Sequence, residues 1–335
     1  MASTTVVGLL GATGETGTSI VNGLLEAGGL TIIALTRPSS VSKPAAVALK
    51  DRGVEIRPLD LKASQDDIVG SLKGVDVLIS AIGPMEQLEQ IPLATAAKTA
   101  GVKRFLPCGA MPVVPAGGTH MLRDVKEIVY NHVKTLHLPY TIVDVGWWYQ
   151  IAFPPLPSGK IDYALGLPDS RLPGDGSQPN ALTDLRDIGR YFAKIVVDDR
   201  TINKYVFVYN ELHSPTQIFD LMEKLSGEKL DRQYDSLEDL QARIADARPK
   251  IAKDPTNFML MVQQVSAEYL ISWGIRGDNQ PEYAKYLGYV TSKELYPDFK
   301  FKSFEAYLRD EVMAGKAKGV YDELRAKIVE MHKNH

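Results

Sequence analysis

The first strand-like segment of the chain ends in a glycine-rich turn, and this turn limits the possible folds more than any other feature. Val6–Leu10 is apolar and leads into Gly-Ala-Thr-Gly-Glu-Thr-Gly, which precedes a stretch with helical periodicity. In such a unit Gly11 allows a tight turn, Gly14 lets the backbone approach a pyrophosphate, and Gly17 lets the helix pack closely on the sheet. Free N–H groups at the helix start favour phosphates. The spacing therefore predicts a dinucleotide site with contacts from Gly11, Thr13, Gly14, Glu15, Thr16 and Gly17.

Between residues 1 and 150, short apolar runs alternate with stretches in which apolar residues recur three or four positions apart. Strands that alternate with helices indicate βαβ units and a parallel sheet. Strands that are apolar throughout indicate helices on both faces of that sheet. We therefore predict an α/β fold, a Rossmann-type doubly wound parallel sheet. The predicted strands are Thr5–Leu10, Leu30–Thr36, Val54–Leu59, Val75–Ile82, Lys103–Pro107 and Tyr140–Val145.

The pattern changes after the sixth predicted strand. Residues 153–180 are rich in proline and glycine, which predicts mostly irregular structure. One further strand, Lys204–Tyr209, precedes helical stretches near 215–226, 236–247, 256–273, 303–314 and 316–332. We expect residues 1–150 to form the nucleotide-binding Rossmann domain. Residues 151–335 would form mainly a smaller, helix-rich substrate lobe, with segments around 181–210 returning to the sheet.

Composition and charge exclude several classes of protein. The formal net charge is −3 and no long basic run occurs, which argues against a nucleic-acid partner. Cys108 is the only cysteine, so no disulfide can form within the chain. We find neither the pattern of a signal peptide nor a membrane span, so we expect a cytoplasmic protein without a membrane partner. The last predicted helix carries apolar residues on one face, and it can pack on its own lobe or form a homodimer; these residues are Val320, Leu324, Ile328 and Met331.

The second predicted strand ends at Arg37, where NAD-selective enzymes often carry an acidic residue that binds the ribose 2′-hydroxyl. A guanidinium instead suits the 2′-phosphate of NADP(H), through charge-assisted and often bidentate hydrogen bonds. Lys43 is close enough in sequence to add a second positive charge. The alternative is that Arg37 is a solvated charge at a strand end. We expect the cofactor to be NADPH or NADP+.

The ends of the later strands complete the predicted cofactor cleft, because ligands bind at the carboxyl ends of parallel strands. Asp60, at the end of the third strand, faces the adenine side or is a plain turn residue. Cys108 is more typical of a small strand-end residue than of a nucleophile, because no acid–base pair is evident near it in sequence. The remaining predicted cofactor contacts are Ser80, Ala81, Ile82, Gly83, Gln90, Pro107, Cys108, Gly109, Lys126, Val145, Gly146 and Trp147.

Several motifs occur together along most of the chain. They are the glycine loop, Arg37, the helix from Gln90 that ends Ala-Gly-Val-Lys-Arg-Phe at 100–105, Val-Lys at 125–126, Leu-Pro-Tyr-Thr at 138–141, Asp-Ile-Gly-Arg-Tyr at 187–191 and Asp-Asp-Arg-Thr-Ile-Asn-Lys at 198–204. Together they resemble the NmrA-like and isoflavone reductase-like branch of the atypical short-chain dehydrogenases. The most specific likeness is to that family's "DIG…DPRTLNK" segment. With Gly-Trp-Trp-Tyr-Gln at 146–150, the chain is similar to a fungal member from secondary metabolism.

The resemblance implies an NADPH-dependent reductase that transfers a hydride to an aromatic substrate, with Lys126 matching the family's catalytic lysine. It also implies that the loop after the fifth strand faces the substrate. Plant reductases carry Ser-Glu-Phe-Gly in this loop, whereas the present chain has Pro-Cys-Gly-Ala-Met at 107–111. We therefore expect a substrate other than those of the plant enzymes. NmrA itself binds the dinucleotide as a regulator, so binding alone does not establish turnover.

Lys126 also suits hydride transfer by its chemistry, because an ammonium can stabilise the anion that forms on the acceptor and can donate a proton. Its helical spacing to Val129 and Val133 implies partial burial, and a buried lysine needs a specific reason. The alternative is a surface lysine that pairs with Asp124 or Glu127.

The aromatic residues after the sixth strand are candidates for a substrate pocket, because aromatic walls suit flat ligands. Side chains alternate along an extended segment, so one or two of them can line a pocket, and core packing is the alternative for each. The predicted substrate contacts are Met111, His120, Trp147, Trp148, Tyr149 and Phe153. No metal site is predicted, since no His, Cys and carboxylate cluster has ligand spacing. Leu122 stands where ordinary short-chain dehydrogenases carry the tyrosine of a Tyr-x-x-x-Lys dyad, which argues against simple alcohol oxidation.

The main hypothesis is an NADPH-dependent oxidoreductase that reduces a C=C, C=O or C=N bond of an aromatic or alkaloid-like small molecule. Lys126 would donate the proton or stabilise charge. A second hypothesis is an NADP(H)-binding sensor of the NmrA kind without turnover. A third is an enzyme that retains the cofactor but catalyses a non-redox cyclisation or rearrangement. The sensor predicts no consumption of NADPH, and the third hypothesis predicts product without NADPH oxidation.

Overall fold

The computed structural model describes residues 4–166 and 171–321. Within these residues, eight parallel strands form a central sheet in the order β3-β2-β1-β4-β5-β6-β10-β13, and a bridge between Phe105 and Tyr140 joins its two parts. The strands are β1 Thr5–Leu10, β2 Leu30–Thr36, β3 Glu55–Pro58, β4 Val77–Ser80, β5 Arg104–Leu106, β6 Thr141–Val145, β7 Trp147–Trp148, β8 Leu172–Pro173, β9 Asn180–Thr183, β10 Lys204–Val208, β11 Glu211–His213, β12 Tyr234–Asp235 and β13 Val290–Thr291.

Helices cover both faces of this sheet, as strands that are apolar on both sides require. One face carries α1, α2 and α6, and the other carries α3, α4 and α5. The α-helices are α1 Glu15–Ala27, α2 Pro44–Asp51, α3 Gln65–Ser71, α4 Gln90–Thr99, α5 Met121–Thr135, α6 Leu185–Ile195, α7 Pro215–Ser226, α8 Leu237–Lys253, α9 Phe258–Tyr269, α10 Pro281–Tyr286, α11 Ser292–Leu295 and α12 Phe304–Tyr307. The predicted Rossmann-type doubly wound sheet is confirmed.

The register of the sheet aligns the strand ends that matter for binding. Leu10, the last residue of β1, lies opposite Leu35 of β2 and opposite Ser80 of β4. The loops that leave the carboxyl ends of these three strands therefore start side by side. The first two strands have the predicted bounds, and the next four lie within theirs but are shorter.

Helices α1 and α6 approach each other unusually closely, because both carry glycine at the crossing. A Cβ on Gly23 would lie 2.1 Å from the carbonyl carbon of Gly189, and a Cβ on Gly189 would lie 1.7 Å from the Ser19 carbonyl oxygen. Ser19 Oγ donates to the Leu185 carbonyl at 2.5 Å and accepts from the Gly189 N–H at 2.9 Å. The Asp-Ile-Gly motif thus fixes the helix that begins at the glycine loop.

A smaller region beside the central sheet is built mainly from residues after β6. A small sheet has the order β11-β9-β7, and β7 follows β6 after the single residue Gly146. Helices α8 and α9 pack against each other, and α8 also contacts β12. Residues 153–166 and 171–180 are mostly irregular, as predicted, apart from the 3₁₀ turn Asp162–Ala164 and β8. Strands β10 and β13 nevertheless lie in the central sheet, so the chain crosses between the two regions more than once.

The C-terminal helices differ from their predicted bounds. Helix α8 runs on to Lys253 although Pro249 lies inside it, and α9 continues into the π-helical turn Leu270–Arg276. A second π-helical turn, Leu308–Val312, follows α12. The predicted helix 316–332 is not formed at 316–321, where Val320 packs into the main core instead, and its other apolar positions (Leu324, Ile328 and Met331) lie outside the described residues. Across residues 4–166 and 171–321, no helix is both long enough and apolar enough to cross a membrane.

Candidate active site

The glycine loop has the geometry that its sequence predicts. Gly11 adopts a φ of +83°, in the left-handed region that favours glycine, and a Cβ there would lie 2.4 Å from the Ala81 carbonyl oxygen. A Cβ on Gly17 would lie 1.9 Å from the Gly11 carbonyl oxygen. Neither position can take a larger residue without moving the backbone. These two glycines set the turn and the close packing of α1.

Gly14 has a different reason to be glycine. A Cβ at Gly14 would have only the Gly11 carbonyl oxygen nearby, at an ordinary 3.6 Å, so the space beside it is open. Gly14 is also the N-cap of α1, and no side chain caps this helix. An uncapped helix start with open space beside it fits a pyrophosphate, because the first N–H groups of a helix have no partner within the helix.

Arg37 and Lys43 are both exposed and lie just beyond β2. Arg37 precedes the 3₁₀ turn Pro38–Ser40, and Lys43 is the N-cap of α2. Neither side chain makes a hydrogen bond or ion pair with a described residue. Both cations are therefore available to a phosphate at the end of β2. Asp60 is also exposed, and its Oδ1 accepts from the Lys62 N–H at 2.9 Å, which is the bond of a turn residue.

The residues after β4 line the predicted cofactor cleft on the side of β1 that faces away from β2. Ser80 is buried, and its Oγ has no hydrogen-bond partner among the described residues. The Ala81 N–H donates to the Leu10 carbonyl oxygen at 2.8 Å, which extends the pairing of β1 and β4 by one residue. Gln87 then donates from Nε2 to the Gly83 carbonyl oxygen at 2.8 Å. This bond ties the loop Ala81–Gly83 to the buried cluster around Lys126.

Lys126 lies on α5 and is buried, with 5% of its surface exposed. Its Nζ donates to the carbonyl oxygens of Cys108 and Gly109 at 2.7 and 3.0 Å, and to Gln87 Oε1 at 3.2 Å. The Cys108 Sγ is 3.5 Å away. Burial follows the prediction from the helical spacing, and the alternative of a surface ion pair is wrong.

The acidic residues near Lys126 in the sequence bind other groups. The Asp124 carboxylate accepts from the Gly117 and Gly118 N–H groups, at 2.8 and 2.9 Å. Glu127 forms an ion pair with Arg123 at 3.2 Å. The ammonium of Lys126 is therefore surrounded by neutral oxygens at the carboxyl end of β5, where negative charge on a substrate would be stabilised.

The loop after β5 is supported from behind by a fully buried glutamine. Gln90 Oε1 accepts from the Cys108 N–H at 2.7 Å, and Gln90 Nε2 donates to the Gln87 carbonyl oxygen at 3.1 Å. Gln90 was predicted to contact the cofactor, but its complete burial makes it a support of the loop. Close packing also explains why positions 109 and 146 are glycine. A Cβ on Gly109 would lie 2.3 Å from the Val143 carbonyl oxygen, and a Cβ on Gly146 would lie 2.6 Å from Thr183 Oγ1.

A buried polar network beneath α5 was not predicted. Arg123 donates to Asp144 Oδ2 at 2.7 Å and also to the Tyr289 hydroxyl, which itself donates to Asp144 Oδ2 at 2.5 Å. Burial alone lowers the pKa of Arg123, but Asp144 and Tyr289 outweigh burial and hold it well above the ordinary value. The sequence signal was available, because Arg123 lies one helical turn before Lys126 and Tyr130 one turn after it. The network fixes the helix that carries Lys126.

A cavity of about 880 Å³ extends from Trp147 between the small sheet and helices α7 to α9. Its walls are mainly apolar, and the predicted contacts Trp147 and Phe153 are among them. Trp147 packs edge-on against Tyr269 with ring centroids 5.3 Å apart. The apolar lining also includes Ile151, Ala152, Pro154, Leu172, Pro173, Pro215, Ile218, Phe219, Met259, Leu260, Val262, Ala267, Leu270 and Trp273.

Asn180 places a polar group in this apolar wall although the residue is only 2% exposed. Its Oδ1 accepts from Asn279 Nδ2 at 2.6 Å, and the Val113 N–H donates to Asn279 Oδ1 at 3.1 Å, which orients the pair. Asn180 Nδ2 has no hydrogen-bond partner among the described residues. His213 lies directly opposite Asn180 in the antiparallel pair and also lines the cavity. Neither residue was predicted, because the small sheet was not.

Four predicted substrate contacts do not line the cavity, because three of them pack elsewhere in the interior and Trp148 lies on the opposite side of β7 from Trp147. Met111 is 3% exposed, and Tyr149 is fully buried with its ring 4.9 Å from that of Phe304. His120 is fully buried at the N-cap of α5, with its ring 4.1 Å from that of Tyr269. Trp148 points away from Trp147, as strand alternation requires. Among the described residues, no group of three or more His, Cys, Asp or Glu side chains could hold a metal ion.

Comparison with known proteins settles the family. The model of the NmrA-like family matches residues 3–308. The chain belongs to the NmrA-like family. Another member, asnovolin J 5′,6′-dehydrogenase of Aspergillus novofumigatus, is 46% identical over 314 residues, which cover 92% of this chain and 95% of that protein. Eugenol synthase 2 of Clarkia breweri is 30% identical over 335 residues, covering 92% and 99% of the two chains.

Solved structures of this NmrA-like fold include cofactor complexes. The complex of leucoanthocyanidin reductase with NADPH from Vitis vinifera matches with a TM-score of 0.76 at 23% identity, covering 92% of this chain and 99% of that one. AtPrR2 with NADP+ and (+)-pinoresinol matches with a TM-score of 0.74 at 24% identity, covering 92% and 99%. At these identities the likeness concerns the fold. A named dehydrogenase among the relatives agrees with the oxidoreductase class that the sequence predicts. The two complexes show that proteins of this fold bind NADPH or NADP+.

Proposed function

We propose that this protein is an NADPH-dependent oxidoreductase that transfers a hydride between the cofactor and a bulky, mainly apolar small molecule of the aromatic or alkaloid-like kind. The observation that carries the proposal is that two candidate sites lie along one edge of the central sheet. The glycine loop and Arg37 form one end of a continuous edge of the sheet. Trp147, the residue where β7 begins after β6, belongs to the apolar cavity at the other end.

The cofactor part of the proposal rests on the uncapped start of α1 and on the cations beyond β2. The first N–H groups of α1 would bind the pyrophosphate, and Arg37 with Lys43 would bind the 2′-phosphate. The loops after β4, β5 and β6 would line the nicotinamide half of the cleft. When bound, NADPH supplies the hydride.

Lys126 is proposed as the proton donor or charge stabiliser. In reduction, one substrate atom gains the hydride while the adjacent atom takes up the electron pair of the double bond and then a proton. The buried ammonium would stabilise that negative charge and deliver the proton. Its three N–H donors are bonded to Cys108, Gly109 and Gln87. A substrate oxygen must therefore replace one of these acceptors when it approaches.

The cavity restricts the substrate class. Its volume of about 880 Å³ and its tryptophan, phenylalanine and leucine walls suit a large hydrophobic ligand. Asn180 Nδ2 would donate a hydrogen bond to a carbonyl, ether or hydroxyl oxygen of that ligand. Substrates without an oxygen at this end would leave the buried amide without a partner, which disfavours their binding.

The direction of transfer and the bond concerned follow from the relatives only in part. One relative is named a dehydrogenase, and several plant relatives are named reductases. We propose that the bond is C=C, C=O or C=N, with the equilibrium and the supply of substrate deciding the direction. Every case needs the same geometry: a substrate carbon in line with the cofactor and a proton donor beside the neighbouring atom.

The test uses purified protein, a metabolite extract of the source organism and NADPH deuterated at the transferred hydrogen, with products followed by mass spectrometry. We expect one product to gain one deuterium, and a parallel reaction with NADP+ to generate NADPH if the enzyme oxidises its substrate. Lys126→Met should lower turnover about 100-fold or more, while Lys134→Met on the same helix should retain it.

Binding of NADPH without label transfer in either direction would contradict the enzyme and favour the NmrA-like sensor. The saturated hydrogen bonds of Lys126 would then be structural. A product that forms without label and without NADPH oxidation would favour the non-redox rearrangement or cyclisation. Full turnover by Lys126→Met with normal NADPH binding would refute the role of Lys126.

A further inference from the structure

The chain continues beyond the part that the family model matches, and the continuation returns to the cofactor cleft. The match ends at residue 308, and the structure describes the chain up to Tyr321. A cleft of about 1120 Å³ lies between the glycine loop and this continuation. It is bounded on one side by Thr13, Gly14 and Glu15, and on the other by Lys316, Lys318, Gly319, Val320 and Tyr321. We name residues 316–321 the C-terminal strap.

Tyr321 connects the strap to Glu15 and Trp148. Its ring stacks on Trp148, with centroids 5.4 Å apart and planes 16° apart, and its N–H donates to Glu15 Oε1 at 3.2 Å. Burial, together with the nearby Glu15 and Cys108, raises the pKa of the Tyr321 hydroxyl. The side chain therefore lies among residues that follow β1, β5 and β6.

This position is the one that a nicotinamide ring needs. Ligands of a doubly wound sheet bind at the carboxyl ends of its strands. The proposed site would hold the pyrophosphate at Gly14, so the hydride-carrying half would extend towards Cys108 and Trp147. Tyr321 lies on that route, between Glu15 and Trp148.

The backbone of the strap is anchored on one side of Tyr321 and strained at Tyr321 itself. Val320 is 3% exposed and packs into the main core. Tyr321 has a φ of +56°, in the left-handed region that is unfavourable for a residue with a Cβ. Such strain persists only where surrounding contacts maintain it, and among the described residues these include the stack on Trp148, the hydrogen bond to Glu15 and packing against the main core. Displacement of the ring would relieve the strain without disturbing the anchor.

We infer that the C-terminal strap regulates cofactor binding, with Tyr321 occupying the nicotinamide end of the cleft until NADP(H) displaces it. The inference rests on the proposed cofactor site. The adenosine half can bind at Arg37 and the glycine loop while Tyr321 is in place. The nicotinamide half must compete with the Tyr321 ring. The strap thus lowers the affinity for the whole dinucleotide and not for its adenosine half.

The experiment compares two probes, NADPH and 2′,5′-ADP, by calorimetric titration of the full chain. Tyr321→Ala removes the ring, and Tyr321→Phe is the matched control that keeps the ring and loses only the hydroxyl. We expect Tyr321→Ala to bind NADPH about two- to tenfold more tightly than wild type, which corresponds to the energy of one aromatic stack. Its affinity for 2′,5′-ADP should be unchanged, and Tyr321→Phe should match wild type with both probes.

Hydrogen exchange provides a second readout. In wild type, NADPH should increase amide exchange of the peptide that contains residues 316–321, whereas 2′,5′-ADP should not. Equal NADPH affinity of wild type and Tyr321→Ala, or weaker binding by the variant, would overturn the inference while leaving the cofactor site intact. Failure of wild type to bind either probe would instead refute the proposed cofactor site, and the strap's role with it.

Discussion

The contact between α1 and α6 supports a sharp prediction, because two helical glycines of this chain differ in the space that surrounds an added Cβ. Gly189 lies inside α6, where an added Cβ would be 1.7 Å from the Ser19 carbonyl oxygen, whereas an ordinary contact begins at 3.4 Å. Gly70 lies inside α3, and an added Cβ there would meet nothing within 4 Å. Gly189→Ala must therefore push the two helices apart, and Gly70→Ala is its matched control.

The expected change in the free energy of unfolding combines three contributions. Overpacking of this kind costs about 1–3 kcal/mol. Separation of the helices also breaks the two hydrogen bonds of Ser19 Oγ, at roughly 0.5–1.5 kcal/mol each. Alanine in place of glycine inside a helix returns about 1 kcal/mol. Gly189→Ala should lower the free energy of unfolding by about 1–5 kcal/mol, and Gly70→Ala should raise it by about 0.5–1 kcal/mol.

Urea unfolding followed by far-ultraviolet circular dichroism measures both variants, and titration with NADPH measures the consequence at the site. Since α1 begins at the glycine loop, Gly189→Ala should also weaken NADPH binding, and Gly70→Ala should not. A Gly189→Ala protein that unfolds at the same urea concentration as wild type, or higher, would refute the close packing of α1 and α6.

Two further predictions concern charge. Arg37→Ala should weaken NADPH binding about 10- to 150-fold, the value of one or more hydrogen bonds to a charged group, and leave NADH binding and stability unchanged, because Arg37 has no partner among the described residues. Equal loss in an exposed control, Arg52→Ala, would contradict a specific phosphate contact. Burial, with Lys126 and Arg123 nearby, lowers the pKa of His120 to about 3 from 6.5. The unfolded chain then binds a proton that the folded chain excludes, so stability should fall as pH drops from 6.5 towards 3, by up to about 1.4 kcal/mol per pH unit from this group. His120→Asn can still cap α5, and its free energy of unfolding, measured with urea, should fall less between pH 6.5 and about 3 than that of wild type. An unchanged pH dependence of the free energy of unfolding would refute this prediction.

The central sheet could be predicted because its signals are local. The glycine loop, the apolar strands and the return of Lys204–Val208 are each visible within a short window of sequence. The small sheet β11-β9-β7 could not be predicted in this way, because its strands have two to four residues and β9 pairs with a strand almost thirty positions away. Short strands carry too few residues to show a period.

The same difference between local and long-range signals applies to the candidate site. Arg37 and the glycines were found because each has a fixed place relative to a strand end. Sequence did not predict Asn180 or the network of Arg123, Asp144 and Tyr289, which joins residues up to 166 positions apart. Met111 and Tyr149 were expected at the substrate because they lie near strand ends, and neighbouring layers bury both.

The sequence by itself determined the doubly wound sheet and the glycine loop, and it predicted a phosphorylated dinucleotide cofactor. It also predicted partial burial of Lys126, since helical spacing indicates which side of a helix faces the interior. Only the tertiary structure decided what surrounds these residues: which aromatic side chain lines the cavity, which acceptors bind Lys126, and where Tyr321 lies. The physical reason is that periodicity depends on the nearest few residues, whereas a site depends on how distant segments of the chain pack together.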